Sequence, residues 1–307
     1  MAVTVTQLVA FITVVKRGSV TAAAEELVVT QPSVSAAVNA LQRELGVVLM
    51  ERSGRSLRPT AAGEAYVPYV THVLGLLDQG ARAAREATDA ARRTLRVGAV
   101  TTAGEFLIAP LLRTFRDAHP ELEITLHVGN RENVFALLLS HDLDLAITGR
   151  PPEELALRAR AFAPNEFVLI TAPSDPLAKM RSVGVEELGE RSWLLREPGS
   201  GTRTMCEEYL AAHGLAPRIL TLGSNGAIKQ ASAVGLGVAL QSRIAVELEL
   251  ELGVLATISV RGGLPKRAWH VVHPAVGPQR SEAQAFEEFV DSRTARQLLA
   301  APLSAAK

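Results

Sequence analysis

Gly18-Ser19-Val20-Thr21-Ala22-Ala23-Ala24-Glu25-Glu26-Leu27-Val28-Val29-Thr30-Gln31-Pro32-Ser33-Val34-Ser35 decides how this chain is read. Gly18 breaks the segment before it, and Ser19 supplies the hydroxyl of a helix N-cap. Ala23, Ala24 and Leu27 form the apolar face of a short helix, and Val28-Val29-Thr30 makes a tight connection. The next helix opens near Gln31-Pro32, because proline is tolerated in a first turn. Its apolar stripe is Val34, Val38, Leu41 and Leu45, and Gly46 ends it as a left-handed cap. Upstream, Leu8, Phe11, Ile12 and Val15 fall on one face of an earlier helix. Short helices, a tight turn and a helix with a polar outer face make a helix-turn-helix.

Opposite the stripe lie Pro32, Ala36, Asn39 and Arg43, flanked by Gln31, Ser33, Ser35 and Gln42. Asn and Gln pair bidentately with adenine in the major groove, and Arg with guanine. After Gly46 comes a polar hairpin, Glu51 to Pro59, with Gly54 at its tip. Its arginines suit the DNA backbone or minor groove, as a wing would. The candidate DNA-contacting set is therefore Gln31, Pro32, Ser33, Ser35, Asn39, Arg43, Arg52, Arg55 and Arg58. Residues 1–60 hold six basic side chains against four acidic ones, so charge supports this reading only mildly. The pattern by itself also fits a polar bundle with a solvated face. Over the whole chain 32 Lys+Arg balance 32 Asp+Glu, which excludes a wholly basic coat but not a local patch.

Residues 60–92 read as one long helix, with Thr60 as its cap and Glu64 in its first turn. Tyr66, Val70, Val73, Leu77, Gly80, Ala84 and Ala87 repeat as a heptad seam. Tyr66, Val70, Val73, Leu77 and Ala84 are the candidate dimer contacts; the alternative is a helix packed on its own domain. Pro68 is positioned to bend it. From Thr94 strands and helices alternate: strand Leu95–Val100, a helix at about 104–118, strand Ile124–Val128, helix Asn133–Leu139 and strand Leu143–Ile147. The order recurs after residue 165, which predicts parallel sheets in two lobes with a cleft between them.

Ligands of such sheets bind beyond the carboxyl ends of the strands. Three of those ends run into helix starts rich in hydroxyls: Val100-Thr101-Thr102, Ser200-Gly201-Thr202-Arg203 and Ser224-Asn225-Gly226. Helix N-termini suit anions. The candidate effector set is Thr101, Thr102, Arg150, Ser200, Thr202, Arg203 and Asn225, against the plainer reading of the threonines as helix caps. A ligand bridging the lobes would draw them closed. No catalytic constellation, metal site or resident cofactor is expected. Of the seven histidines only His270 and His273 approach ligand spacing, and Cys206 reads as a packed residue. Gly235-Leu236-Gly237 is too short for a dinucleotide fingerprint and reads as a tight turn. One cysteine, no export signal at the front and no apolar run near the ~18 residues of a membrane span predict a cytoplasmic chain.

The stretch quoted at the outset, with Leu41-Gln42-Arg43-Glu44-Leu45-Gly46 and Leu57-Arg58-Pro59-Thr60-Ala61-Ala62-Gly63-Glu64, closely resembles the LysR-type transcriptional regulators. The resemblance covers the whole chain. It implies an α/β protein with an all-α front end. A winged helix-turn-helix occupies 1–60 and a linker helix for dimerisation 61–93. A bilobed effector domain like a periplasmic binding protein fills 94–307, with lobe I about 94–163 and 268–307 and lobe II about 164–267. Ala36 departs from the family, which often has a basic residue there. Gly129 to Val134, Asp142 to Pro152, Arg196 to Arg203 and Ser224 to Gln230 resemble the branch regulating carbon-fixation operons. That branch implies phosphorylated effectors. The expected partners are an inverted repeat of double-stranded DNA, a small anionic metabolite and further copies of the chain as dimer or tetramer. RNA polymerase is a further candidate partner. The competing reading is a cytosolic small-molecule-binding protein or enzyme whose front helices only dimerise.

Overall fold

A computed structural model of the chain describes residues 3–54, 56–88 and 93–300. It divides into two compact units, Met1–Asp89 with Leu139–Asp142, and Ala90–Leu138 with Leu143–Lys307.

The first unit runs α1 (Val5–Arg17), α2 (Val20–Leu27), α3 (Gln31–Leu45), β1 (Met50–Ser53), β2 (Ser56–Pro59) and α4 (Ala61–Thr88). Each of the first three helices starts on a hydroxyl that accepts its own first-turn amide: Thr4 from Gln7, Ser19 from Ala22 and Thr30 from Ser33. Left-handed Gly18 and Gly46 end α1 and α3. Val28 ends α2 in the same conformation, at φ 54°, which is costly for a β-branched residue. Phe11, Leu41, Leu49 and Val70 form one buried cluster, and Ala23, Val34 and Val38 belong to a second. β1 and β2 pair antiparallel, and the Leu57 amide donates to the Gly18 carbonyl at 2.8 Å, tying the hairpin to the end of α1. Gly63 has no room for a Cβ against the Leu49 carbonyl and Pro59, so α4 begins pressed on that hairpin.

The second unit has two lobes. The first lobe runs β3 (Thr94–Val100), α5 (Thr101–Phe106), α6 (Ile108–Ala118), β4 (Glu123–Gly129), α7 (Arg131–Leu139), β5 (Leu145–Thr148) and β6 (Leu157–Asn165). The second runs β7 (Phe167–Thr171), α8 (Glu186–Gly189), β8 (Trp193–Leu195), α9 (Gly201–Ala212), β9 (Ile219–Thr221), α10 (Asn225–Ala233), β10 (Ala239–Ser242), α11 (Glu247–Glu251) and β11 (Ala256–Ile258). β12 (Arg267–Pro274), α12 (Ser281–Val290) and α13 (Arg293–Ala300) return to the first lobe. Its core includes Val97, Ile108, Phe115 and Phe286. The second lobe has one cluster around Leu169, Trp193 and Tyr209 and another around Ile170, Ile228 and Val246.

The sheets are mixed, not parallel throughout. In the order β4-β3-β5-β12-β6, β3 is parallel to β4 and β5, while β12 is antiparallel to β5 and β6. β7 is antiparallel to β10 and β11, and β8 and β9 are parallel. The antiparallel strands are those where the chain crosses between lobes and arrives from the opposite end. The helix expected at about 104–118 is two helices, broken at Leu107. Pro110 cannot donate to the Phe106 carbonyl four residues back, and its ring crowds that carbonyl, so no single helix passes through. Among the described residues no helix is long and apolar enough to cross a membrane.

Candidate functional site

On the first unit α3 turns Val34, Val38 and Leu41 inward, which leaves Gln31, Pro32, Ser33, Asn39 and Arg43 exposed and Ser35 half-buried. Ser33 and Thr30 share a hydroxyl hydrogen bond of 2.8 Å at the helix start. Gln42 has a structural task instead. Its Oε1 accepts from the Leu49 and Met50 amides at 2.7 and 3.2 Å, and its Nε2 donates to Asn39 Oδ1 at 3.3 Å. Gln42 therefore fixes the entry to the hairpin and steadies Asn39. Arg52 is exposed on β1, whereas Arg58 donates to Glu51 across the hairpin at 3.0 Å. Arg55 lies outside the described residues.

The seam of α4 splits into two parts. The Tyr66 ring lies tilted 5.9 Å from that of Phe11 and Val70 is 1% exposed, so Val70 belongs to the core of the first unit and is withdrawn from any dimer face, while half-buried Tyr66 packs against that core. The physical reason is the pressing of the first turns of α4 onto α1 and the hairpin. Val73, Leu77 and Ala84 remain exposed, joined by Tyr69, which the heptad reading left out.

Within the second unit a cavity of about 290 Å³ opens between the lobes. Its wall holds Thr101, Thr102, Arg150, Ser200 and Thr202, all expected, together with Arg131, Asn165, Arg196, Glu208, Ser242, Arg267 and His270, which were not. Arg203 and Asn225 are absent from that wall. Arg203 turns back to donate to Glu207 at 2.7 Å, to the Arg196 carbonyl at 3.0 Å and to Thr221 at 3.2 Å. One helical turn separates Arg203 from Glu207 on α9, and that i,i+4 pairing draws it away. The arginine at the cavity is Arg196, 3% exposed at the end of β8. It donates to both Glu197 oxygens at 2.8 and 2.9 Å, to Asn225 Oδ1 at 2.7 Å and to Thr101 Oγ1 at 3.4 Å. Asn225, 1% exposed, has its amide turned to Thr102 and Glu105 of the first lobe at 3.3 and 2.9 Å.

Charge in the cavity is unevenly balanced. Arg267 pairs with Glu208 at 2.5 Å and Arg150 with Glu153 at 3.1 Å. Arg131 donates to the Arg150 carbonyl at 3.1 Å and lies 5.3 Å from the Phe135 ring centroid. Burial pushes its guanidinium below the ordinary value, with Glu208 opposing that shift and Arg267 adding to it. α9 starts at Ser200 without a side-chain cap, so its first amides are left to water or to an anion. His270 donates its Nδ1 to the Ala268 carbonyl at 3.0 Å, and burial holds its pKa below the usual imidazole value.

His270 and His273 make no metal pair. His273 donates to the Pro274 carbonyl and approaches Glu287 at 3.9 Å, away from the cavity that His270 lines. No group of three or more His, Cys, Asp or Glu able to hold a metal occurs among the described residues. Cys206 is buried, and burial raises its thiol to about 12, which makes it unreactive. Arg196 and Arg131 were missed because neither stands at a helix start bearing hydroxyls. The available signal is their position one residue after the strand end at Leu195 and two after that at Gly129.

The profile of the bacterial regulatory helix-turn-helix proteins of the lysR family matches residues 5–64, and that of the LysR substrate binding domain matches 88–295. The HTH-type transcriptional regulator CfxR of Cupriavidus necator is 36% identical over 273 residues, covering 89% of this chain and 86% of the relative. The RuBisCO operon transcriptional regulator of Allochromatium vinosum is 36% identical over 302 residues, covering 96% and 98%. Among solved structures, the regulatory domain of CcmR from Synechocystis PCC6803 in complex with 2-PG is similar at 31% identity and a TM-score of 0.62, covering 65% of this chain and 96% of that one.

Proposed function

Since the chain belongs to the LysR family of bacterial transcriptional regulators, working at DNA in the cytoplasm and not as an enzyme, we propose how its two units divide that task. α3 reads base edges in the major groove with Ser33, Asn39 and Arg43, and Arg52 and Arg55 meet the backbone from the wing. Two such units, joined through Val73, Leu77 and Ala84 of α4 with Tyr69, read an inverted repeat. The effector is a small anion held between the lobes by Arg131, Arg150 and the uncapped start of α9.

The observation that carries the effector reading is the cavity wall itself: Arg131, Arg150, Arg196 and Arg267 face it with Glu208 as the one carboxylate among the lining residues. The CcmR domain named above, with 2-PG bound, supports a small ligand in a domain of this kind. The names of the two relatives direct the search for operators first to RuBisCO-type operons.

Gel shifts of the full chain on its own upstream DNA and on carbon-fixation promoters test the first half. Protection of one inverted repeat is expected, and uniform binding to all DNA would overturn it. Calorimetry with a panel of phosphorylated metabolites tests the second. A ligand at 100 times its Kd raises stability by about 2.7 kcal/mol, so a thermal-shift screen finds it first. Binding that survives Arg131→Ala and Thr202→Val unchanged would move the effector elsewhere.

A further inference from the structure

We propose that α5 is a staple between the lobes, which holds the effector cleft closed before any ligand arrives, with Glu105, Phe106 and Asn225 as its positioning residues. By chain order α5 belongs to the first lobe, yet its side chains are used by the second. Thr101 accepts from Arg196, and Thr102 and Glu105 both accept from Asn225. Phe106 packs against the second lobe's cluster of Ile228, Ala239 and Val246, and the Lys229 ammonium lies 5.1 Å from its ring centroid. Lys229 is itself held by Glu249 at 2.7 Å. The engagement runs in both directions, since Ile244 of the second lobe packs on the first lobe's core.

Two features argue that this is a built connection and not a chance approach. The hydroxyls of Thr101 and Thr102 do not cap their own helix, whose N-cap is Val100 with no side-chain bond. Asn225 is 1% exposed with both ends of its amide used, one toward Arg196 and one toward the first lobe. Opening the cleft would break this polar set and expose Phe106 in one step. Away from α5, the Glu132 amide donates to the Gly199 carbonyl at 3.3 Å across the same cleft. Ser242 donates to Asn165 at 2.6 Å where the chain passes between lobes.

The consequence changes how the effector acts. The sequence suggested lobes that close on a ligand, whereas a stapled cleft is already closed and binds without that cost. A variant that is closed only part of the time binds with an apparent Kd raised by the inverse of that fraction. This statement about affinity rests on the cleft being the effector site; the statement about lobe closure does not.

The test is a pair of spin labels on the full chain at Asp117→Cys in the first lobe and Glu190→Cys in the second, diluted into excess unlabelled chain so that only distances within one protomer count. Cys206 is buried and stays unlabelled. The expected result is one narrow distance without ligand, unchanged by saturating inorganic phosphate. Asn225→Ala with Phe106→Ala should broaden it toward longer distances. Glu105→Ala, a milder change, should broaden it partly, and Glu105→Gln, which keeps an acceptor, should restore it. By calorimetry the apparent Kd for phosphate should rise about tenfold in the double variant if the closed fraction falls to a tenth. A broad ligand-free distance in the parent chain, a distance that phosphate shortens, or a double variant as narrow as the parent would each overturn the staple. Absence of phosphate binding in the parent would count against the anionic effector alone, since the ligand-free distances decide the staple.

Discussion

Hydroxyls at the starts of α1, α2 and α3 in the first unit and of α5 in the second serve opposite purposes, although Ser224 caps α10 of the second unit in the local way. Thr4, Ser19 and Thr30 turn back and accept their own helices' amides, so each closes a local account of donors and is finished. Thr101 and Thr102 are the first two residues of α5, just inside its Val100 N-cap, and they accept from Arg196 and Asn225 of the other lobe. The first unit thereby uses these hydroxyls on its own helices and leaves Asn39 and Arg43 exposed for an outside partner. The second unit ties distant stretches together with the same chemistry and keeps Arg131 and Ser200 at its cavity. A hydroxyl at a helix start is thus a cap by default and a long-range tether where a buried donor is aimed at it.

The sharpest separation of the two regimes is Arg196→Ala. It leaves the buried Asn225 Oδ1 and the part-exposed Glu197 carboxylate without their shared donor, and losing such a buried hydrogen bond to a charged group costs about 1.5–3 kcal/mol. Calorimetric unfolding of the full chain should show the loss, and anion binding should vanish. Melting of the first unit should stay where it was; a shift there would mean that the two regimes are not separate. Asn39→Ala is the converse. It removes an exposed side chain, so stability should hold, while operator affinity should fall by about 1–3 kcal/mol and nonspecific affinity much less. Equal losses on operator and random DNA would reverse the assignment of α3.

A smaller effect tests the caps themselves. Thr30→Val removes the acceptor for the Ser33 amide and should cost about 1 kcal/mol in the first unit, read by denaturant unfolding. Anion binding should be untouched. Thr102→Val, the same chemical change, should leave the first unit untouched, weaken the anion and cost the second unit about 1–3 kcal/mol, because it strips a buried Asn225 amide hydrogen of its acceptor.

The front of the molecule was legible because its determinants are local. The Ser19 cap, the left-handed glycines at 18 and 46 and the stripe from Val34 to Leu41 all act within a few residues. The site in the second unit was legible only in part. Ser200 and Thr202 face the cavity as their position after a strand implies, but Arg203 was lost to Glu207, a competition that depends on the direction each side chain leaves the helix. Asn225 was assigned to a ligand because it opens a helix, and nothing local says that Arg196, Thr102 and Glu105 converge on it. β6 is not legible because its half-buried residues, Leu157, Arg160, Phe162 and Ala163, neither alternate nor stay apolar, and its pairing with β12 joins residues more than a hundred positions apart. The seam of α4 read as continuous because a heptad cannot distinguish a partner helix from α1 and the hairpin.

The smallest effect concerns a group that the tether leaves with capacity. His270 lines the cavity, donates from Nδ1 to the Ala268 carbonyl and therefore presents Nε2 as an acceptor when neutral. Burial lowers its pKa, the bond to Ala268 raises it in part, and Arg150 lowers it again. A lowered pKa means that the unfolded chain binds the proton more tightly than the folded one. Stability is therefore kept above the ordinary imidazole value near 6.5 and lost progressively as pH falls through it. An anion placed between Arg131 and Arg150 adds a negative charge beside that ring, which raises its pKa and couples binding to proton uptake. Anion affinity should rise as pH is lowered from 8 to 6, by less than the tenfold per pH unit that one fully linked proton allows. Titrations in two buffers of different ionisation enthalpy would measure the protons taken up, and His270→Gln should reduce that number without abolishing binding. Proton uptake unchanged in His270→Gln would assign it to another group, and the ring would then be a wall of the cleft with no part in its charge.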